Sequence, residues 1–259
     1  MTKPSNILWL AVFVCWSCSS KIDFTKEPVV PPANETTDLI ICQLATAINT
    51  DPNAGGVRNH YVQLYNGTAG VIDLSQYAIG YQATFDLNTL VDWSFPTNAT
   101  YFKLIGTLGS GKCYVIASPQ ADATFVPRDT VWGTSSTSNA DASTPLQLSG
   151  NSGIALLKKD PNGSYMLGNE TYDVIDAFGS PDVARVTSGG SSSSRNNYIW
   201  TVAQETSDTR NRTFWRKASV RDPNPNWAQT KGTNADDSQW LLSGDRAWDY
   251  SKVGLPTPP

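Results

Sequence analysis

The apolar residues of this chain come in short runs that turn-forming residues interrupt along its whole length. Gly, Pro, Asn and Asp between such runs favour strands joined by turns. Ten Tyr, nine Trp and eight Phe supply enough apolar area to bury in a core. The pattern predicts an all-β fold, with strands at 39–45, 60–66, 77–82, 101–105, 112–118, 146–148, 153–159 and 172–178, and three more near 198–202, 213–219 and 239–242.

Strict alternation in the second run separates two faces of one strand. Val62 and Leu64 share one face, which we expect to be buried, and Gln63 lies on the other. The run 113–117 is apolar on both faces, which is typical of a central strand. Eight short strands without an amphipathic helix favour a β-sandwich.

Two neighbouring segments carry a family resemblance. HYVQLYNGT (60–68) followed by VIDLSQYAI (71–79) resembles the signature of the lamin-tail domain family. Segments 111–117, 148–156 and 173–179 resemble later pieces of the same family, in the same order.

This resemblance implies an immunoglobulin-like β-sandwich of the lamin-tail type, here over 38–187. The Trp-rich segment 188–259 resembles an extension seen in such proteins, and we expect it to pack on the sandwich. Bacterial relatives are often secreted or lipid-anchored. The family has no common catalytic residue, so the resemblance transfers none to this chain.

The N-terminal segment has the features of an export signal. Lys3 precedes the apolar stretch 7–14, which is too short to span a bilayer as a helix. Ser17-Cys18 after it resembles the lipobox of bacterial lipoproteins. We expect a signal peptide over 1–17, lipid on Cys18 and an extended tether over 18–37; the alternative is a cleaved signal without lipid.

Two cysteines, Cys42 and Cys113, belong to the predicted sandwich. An oxidising compartment permits a disulfide between them, and the alternative is two buried thiols. Two cysteines without a histidine partner do not make a zinc site of the usual four-ligand kind.

Few residues offer catalytic chemistry. His60, the only histidine, lies in an apolar alternation, which predicts a structural or rim position. Asp173 and Asp176 are three positions apart on a strand and so point to opposite faces, which weakens the idea of a glycosidase pair. Asp236-Asp237 could hold calcium, although solvated loop acids explain them as well. We predict no catalytic residue, no metal and no cofactor.

The charge distribution argues against a nucleic-acid ligand. The formal net charge is −4, and the chain has no basic stripe. The densest basic stretch, 210–221, fits a solvated strand pair, so nucleic acid is an unlikely partner by composition.

Tryptophans in the C-terminal part are the candidate binding residues, because indole faces stack on sugars and aromatic partners. Trp227, flanked by Pro225-Asn226 and Ala228-Gln229, looks most exposed; the others are Trp215, Trp240 and Trp248. The alternative is that they cap an apolar edge.

These patterns together predict a non-catalytic cell-surface lipoprotein, a binding or scaffold module that contacts glycan or protein. The alternative is an accessory module of an extracellular hydrolase or nuclease system. In either case the lipid would hold the chain on a membrane of the cell envelope.

Overall fold

Strands dominate the chain because its β-branched and aromatic residues suit a pleated surface that is covered on both sides. The computed structural model describes residues 36–82, 90–133, 146–187, 198–204 and 209–255. The expected signal peptide, Cys18 and nearly all of the tether lie outside the described residues.

The elements follow one another in this order: β1 (Leu39–Ala47), β2 (Tyr61–Asn66), β3 (Ile72–Asp73), a 3₁₀ turn (Leu74–Gln76), β4 (Tyr77–Gln82), β5 (Tyr101–Lys103), β6 (Thr107–Leu108), β7 (Lys112–Ala117), β8 (Thr130–Val131), β9 (Gly153–Lys159), β10 (Tyr165–Leu167), β11 (Glu170–Phe178), β12 (Val186–Thr187), β13 (Tyr198–Ile199), β14 (Asn211–Arg216), α1 (Trp227–Thr230) and β15 (Trp240–Leu242).

Two larger sheets contain most of these strands. The first sheet has the order β15-β14-β1-β2-β7-β8, and the second has the order β10-β11-β9-β4-β5. Two-stranded ribbons, β12-β13 and β3-β6, complete the described sheets. The fold is therefore nearly all β, as predicted, and β7 lies inside its sheet.

One apolar core joins the two sheets. The first sheet contributes Val62 and Leu64, both fully buried, and the second contributes Ile79 and Leu156. In the first sheet Val62 faces Ile116 across the strand pair, so branched side chains meet in register. Side chains of both sheets in one cluster are consistent with a β-sandwich.

The C-terminal residues are part of this architecture. Strand β14 lies between β15 and β1 in the first sheet, and Gln43 of β1 is opposite Trp215 of β14. Beyond β15, Trp248 and Tyr250 pack on the other face of the sheet, against Tyr61. Both faces of the first sheet are thus covered.

One predicted strand is wrong. Residues 146–148 are not a strand, although Leu146 and Leu148 are buried. The backbone N–H of Leu148 donates to the His60 side chain, and the Leu148 carbonyl accepts from the N–H of Ala47, the last residue of β1. Leu148 therefore bonds to the end of β1 without forming a strand. The short strands β3, β6, β8, β10 and β12 were not predicted, because two or three residues show no measurable alternation.

No helix in the described ranges has the length and hydropathy needed to cross a bilayer.

Candidate functional site

A buried ion pair joins the two sheets. Asp176 of β11 and Arg216 of β14 have almost no exposed surface, and Arg216 Nη2 lies 2.9 Å from Asp176 Oδ1. Asp176 also accepts hydrogen bonds from the backbone N–H groups of Ile41 (2.8 Å) and Asn224 (3.1 Å). One carboxylate therefore fixes β1, β11, β14 and the segment after β14 relative to one another.

The surroundings explain how these charges are tolerated inside the protein. Burial raises the pKa of the Asp176 carboxyl, while the Arg216 guanidinium and the N–H groups of Ile41 and Asn224 act in the opposite direction. The Arg216 guanidinium carbon lies 4.7 Å from the centre of the Trp240 ring, within cation–π range. A guanidinium keeps its charge under all ordinary conditions, so an acidic partner is needed here.

A polar cavity of about 520 Å³ lies beside this pair. Its walls come from the chain immediately after β14 and immediately before β15. The lining residues are Lys217, Ser219, Val220, Arg221, Asp222, Pro223, Asn224, Asp236, Asp237, Ser238 and Gln239. Because Asn224 is hydrogen-bonded to Asp176, the ion pair holds one wall of the cavity in place.

Hydrogen bonds fix the opposite wall. Asp237 accepts from the backbone N–H groups of Thr233 and Asn234, at 2.8 Å each, and from the Thr233 hydroxyl. These donors lower the pKa of Asp237. Lys217 Nζ donates to the carbonyls of Ala235 and Asp236 and so ties this turn to the end of β14. The cavity is bounded by ordered turns on both sides.

The same bonds show how the acids named in the calcium alternative are held in the structure. The Asp237 carboxylate accepts hydrogen bonds from backbone N–H groups of its own turn, as the side chain of a helix N-cap residue does. Within the described ranges, no three His, Cys, Asp or Glu side chains come close enough together to hold a metal ion. The structure gives Asp236-Asp237 a role in the turn.

The rim of the cavity carries both signs of charge. Arg221, Asp222 and Asp236 are exposed, and the Asp222 carboxylate accepts from the Thr37 hydroxyl at 2.7 Å. Ser238, another lining residue, is buried, and its hydroxyl accepts from the backbone N–H of Trp240. Such a lining offers donors and acceptors to a polar ligand, and it contains no aromatic ring.

The prediction that Trp227 is exposed is wrong. Asn226 caps α1 by accepting from Gln229 N–H, and this single helical turn directs the Trp227 indole inward, where it is 1 % exposed. Its ring lies 4.8 Å from Phe178 and 5.7 Å from Trp200. The local sequence resembles a loop, but a helical turn against an aromatic core buries the ring.

The other three candidate tryptophans are not free binding residues either. Trp240 is 1 % and Trp215 is 5 % exposed. Trp248 is partly buried, and its indole N–H donates to the Thr46 carbonyl at 2.8 Å. The tryptophans form the core and the cover of the first sheet, which was the alternative explanation.

Cys42 and Cys113 are free thiols in the structure, not a disulfide. Cys42 belongs to β1 and Cys113 to β7, and β2 lies between these strands. Strands two positions apart are separated by about 9–10 Å. This exceeds the Cα–Cα distance of about 4.4–6.8 Å that a disulfide requires.

His60 has a structural position. It is buried, and its Nδ1 accepts from the Leu148 backbone N–H at 2.7 Å. Burial, and the nearby charge of Arg58, lower its pKa to about 3. A neutral histidine whose Nδ1 is already bonded is unsuited to general acid–base work at the surface.

One further interpretation needs correction, and one is consistent with the structure. The basic stretch 210–221 is not simply solvated, because Arg212 and Arg216 are both buried. Asp173 and Asp176 do not form a pair: Asp173 accepts from Ser164 N–H at the surface, whereas Asp176 binds Arg216.

Sequence reasoning missed the cavity and the ion pair beneath it. Asp176 and Arg216 are 40 positions apart, and each is flanked by ordinary strand residues. The sequence did contain one signal: Arg216 lies two positions after Phe214 and so shares its strand face. A charged residue on an otherwise apolar face indicates a buried partner elsewhere.

Comparison of the chain with protein-family models, with curated proteins and with solved structures found no match.

Proposed function

We propose that this chain is a non-catalytic binding module of the cell surface, held on the membrane by lipid at Cys18, and that it binds a polar segment of a protein in the cavity beside β14 and β15. The proposal includes the finer fold assignment, an immunoglobulin-like sandwich of the lamin-tail type. The observation that carries it is the cavity itself, whose rim presents Arg221, Asp222 and Asp236 together.

The lining favours a protein segment over a neutral glycan. Sugar sites usually use an exposed aromatic face, and the cavity lining has none. Charges of both signs at a rim suit a polypeptide, which offers charged side chains and backbone groups in turn. Because turns fixed by Asp176 and Asp237 bound the cavity, little ordering cost accompanies binding.

The position of His60 supports the non-catalytic part of the proposal. The only histidine of the chain is neutral, buried and hydrogen-bonded far along the sheet from the cavity loops. The lining residues include carboxylates and Arg221, and they do not include a nucleophile paired with a base.

The test is capture by residues 22–259 on peptide and glycan arrays in parallel. Residues 33–259 form one compact unit, so this fragment contains the whole core. We expect charged peptides to bind and neutral glycans not to bind. Asp236→Ala should lose capture, whereas Asp245→Ala, an exposed aspartate outside the lining, should retain it.

A glycan-only signal, or equal capture by the two variants, would contradict the proposed ligand. Turnover of a peptide, ester, glycan or nucleic acid by the purified fragment that resists repurification would contradict the non-catalytic proposal.

A further inference from the structure

The two free thiols of the first sheet meet at one side chain on its outer face. Gln63 lies on β2, between β1 and β7. Its Nε2 atom is 3.4 Å from Cys42 Sγ and 3.3 Å from Cys113 Sγ. Both sulfurs therefore lie close to the same nitrogen atom, although their strands are not neighbours.

The C-terminal segment encloses this group. Gln63 Nε2 donates to the Leu255 carbonyl at 2.9 Å, and Gln63 Oε1 accepts from Gly254 N–H at 2.7 Å. The Cys113 thiol donates to the same Leu255 carbonyl at 3.3 Å. Both ends of the Gln63 amide are fixed, so its NH₂ group stays directed at the sulfurs.

The structure contains no disulfide here, but it brings two soft ligands to one place, where the two thiols interact with each other. The intervening strand keeps the two backbones apart, as described above. Cys113 is partly exposed, which gives an entry route, and Cys42 is buried behind it. Two sulfur ligands with no histidine or carboxylate suit a soft monovalent ion and do not suit zinc.

From this geometry we infer that Cys42 and Cys113 form a two-sulfur binding site for a soft monovalent cation, Cu(I). When the ion binds, each thiol releases one proton to solvent and forms one S–Cu bond; copper keeps its oxidation state. The resulting unit carries one negative charge, and the Gln63 amide nitrogen, which lies within hydrogen-bond distance of both sulfurs, stabilises it with the N–H that is not bonded to the Leu255 carbonyl. Gln63 is thus a positioning residue of the site.

The experiment uses residues 22–259, in which Cys42 and Cys113 are the only cysteines. Cu(I) is added anaerobically to the reduced fragment in the presence of a coloured Cu(I) chelator. We expect one copper ion per chain to be withheld from the chelator, and X-ray absorption at the copper edge to show two sulfur neighbours. Zn(II) should not be retained.

Cys113→Ser and Cys42→Ala should each lose this retention. Gln63→Asn, which shortens the donor, should weaken affinity about 10–100-fold while leaving both thiols reactive to alkylation. Near-ultraviolet circular dichroism checks that each variant is folded, and Cys113→Ser, at a partly exposed position, carries the test if Cys42→Ala does not fold.

Retention of copper by folded Cys113→Ser would overturn the inference. So would a copper-edge spectrum that shows fewer than two sulfur neighbours.

Discussion

The two faces of the first sheet are both buried, but in different ways. On the inner face Val62 and Leu64 meet the apolar side chains of the second sheet. On the outer face Tyr61 packs beneath the C-terminal segment, and Gln63 binds it through two hydrogen bonds. The second sheet buries one face, and the C-terminal segment buries the other. Alternation alone therefore does not reveal which side of a strand is exposed to water.

The core between the sheets also contains the buried Asp176–Arg216 ion pair, and this pair gives the largest expected effect. Replacing Asp176 with Ala leaves Arg216 charged and buried without its partner. We expect the free energy of unfolding to fall by about 3–5 kcal/mol. Urea denaturation followed by tryptophan fluorescence measures it. Replacing both residues with Leu should cost less than the single change, and a single change that costs almost nothing would mean that the pair is hydrated.

Loss of an apolar contact on the inner face should come next. Leu64→Ala removes a fully buried side chain between the sheets. Lost burial and the resulting cavity predict a decrease of about 2–5 kcal/mol in the free energy of unfolding. The measurement is the same urea titration, with Val71→Ala, an exposed position, as the control. Equal effects at the two positions would contradict the inner-face assignment.

Sequence patterns predicted several strands of both sheets well, together with the side chains that meet between the sheets. Strands β4 and β9 have the predicted ends, and Val62 and Leu64 are buried as expected. Their signal is local, because alternation and flanking turn residues specify a strand within about ten positions.

Contacts between distant segments were not predictable in this way. The cover of the outer face comes from residues around 250, nearly 200 positions after Gln63. The exposure of Trp227 was wrongly predicted for the same reason. Its loop-like local sequence does not reveal that the indole packs against Phe178 and Trp200. The cavity depends on the Asp176–Asn224 contact, which no local pattern encodes.

Acid should weaken the end of β2 where His60 lies. Its pKa is about 3 in the folded protein and 6.5 in the unfolded chain, so the unfolded state binds the proton between these values. Stability is therefore complete above pH 6.5 and declines as the pH falls toward 3. We expect a loss of about 2 kcal/mol at pH 5. Chemical denaturation at pH 7 and pH 5 measures it.

His60→Gln removes the titrating group and should flatten this dependence. An unchanged slope in that variant would assign the acid sensitivity to another group.

The outer face should give the smallest effect. Gln63→Ala leaves the Gly254 N–H without its partner and removes one of the two hydrogen bonds that the Leu255 carbonyl accepts. We expect a decrease of about 1–2 kcal/mol in the free energy of unfolding, smaller than for Leu64→Ala. Faster proteolysis confined to the C-terminal segment would show that this segment detaches from the outer face while the two sheets stay folded. A larger loss than at Leu64 would reverse the ranking of the two faces.

We propose above that the cavity formed by the loops after β14 and before β15 binds a polar protein segment. Hydrogen–deuterium exchange of residues 22–259, with and without a peptide captured on the array, tests this binding. We predict protection at 217–224 and 236–239, abolished in Asp236→Ala and kept in Asp245→Ala. Protection centred instead on the second sheet, or on the C-terminal cover around Gln63, would contradict it.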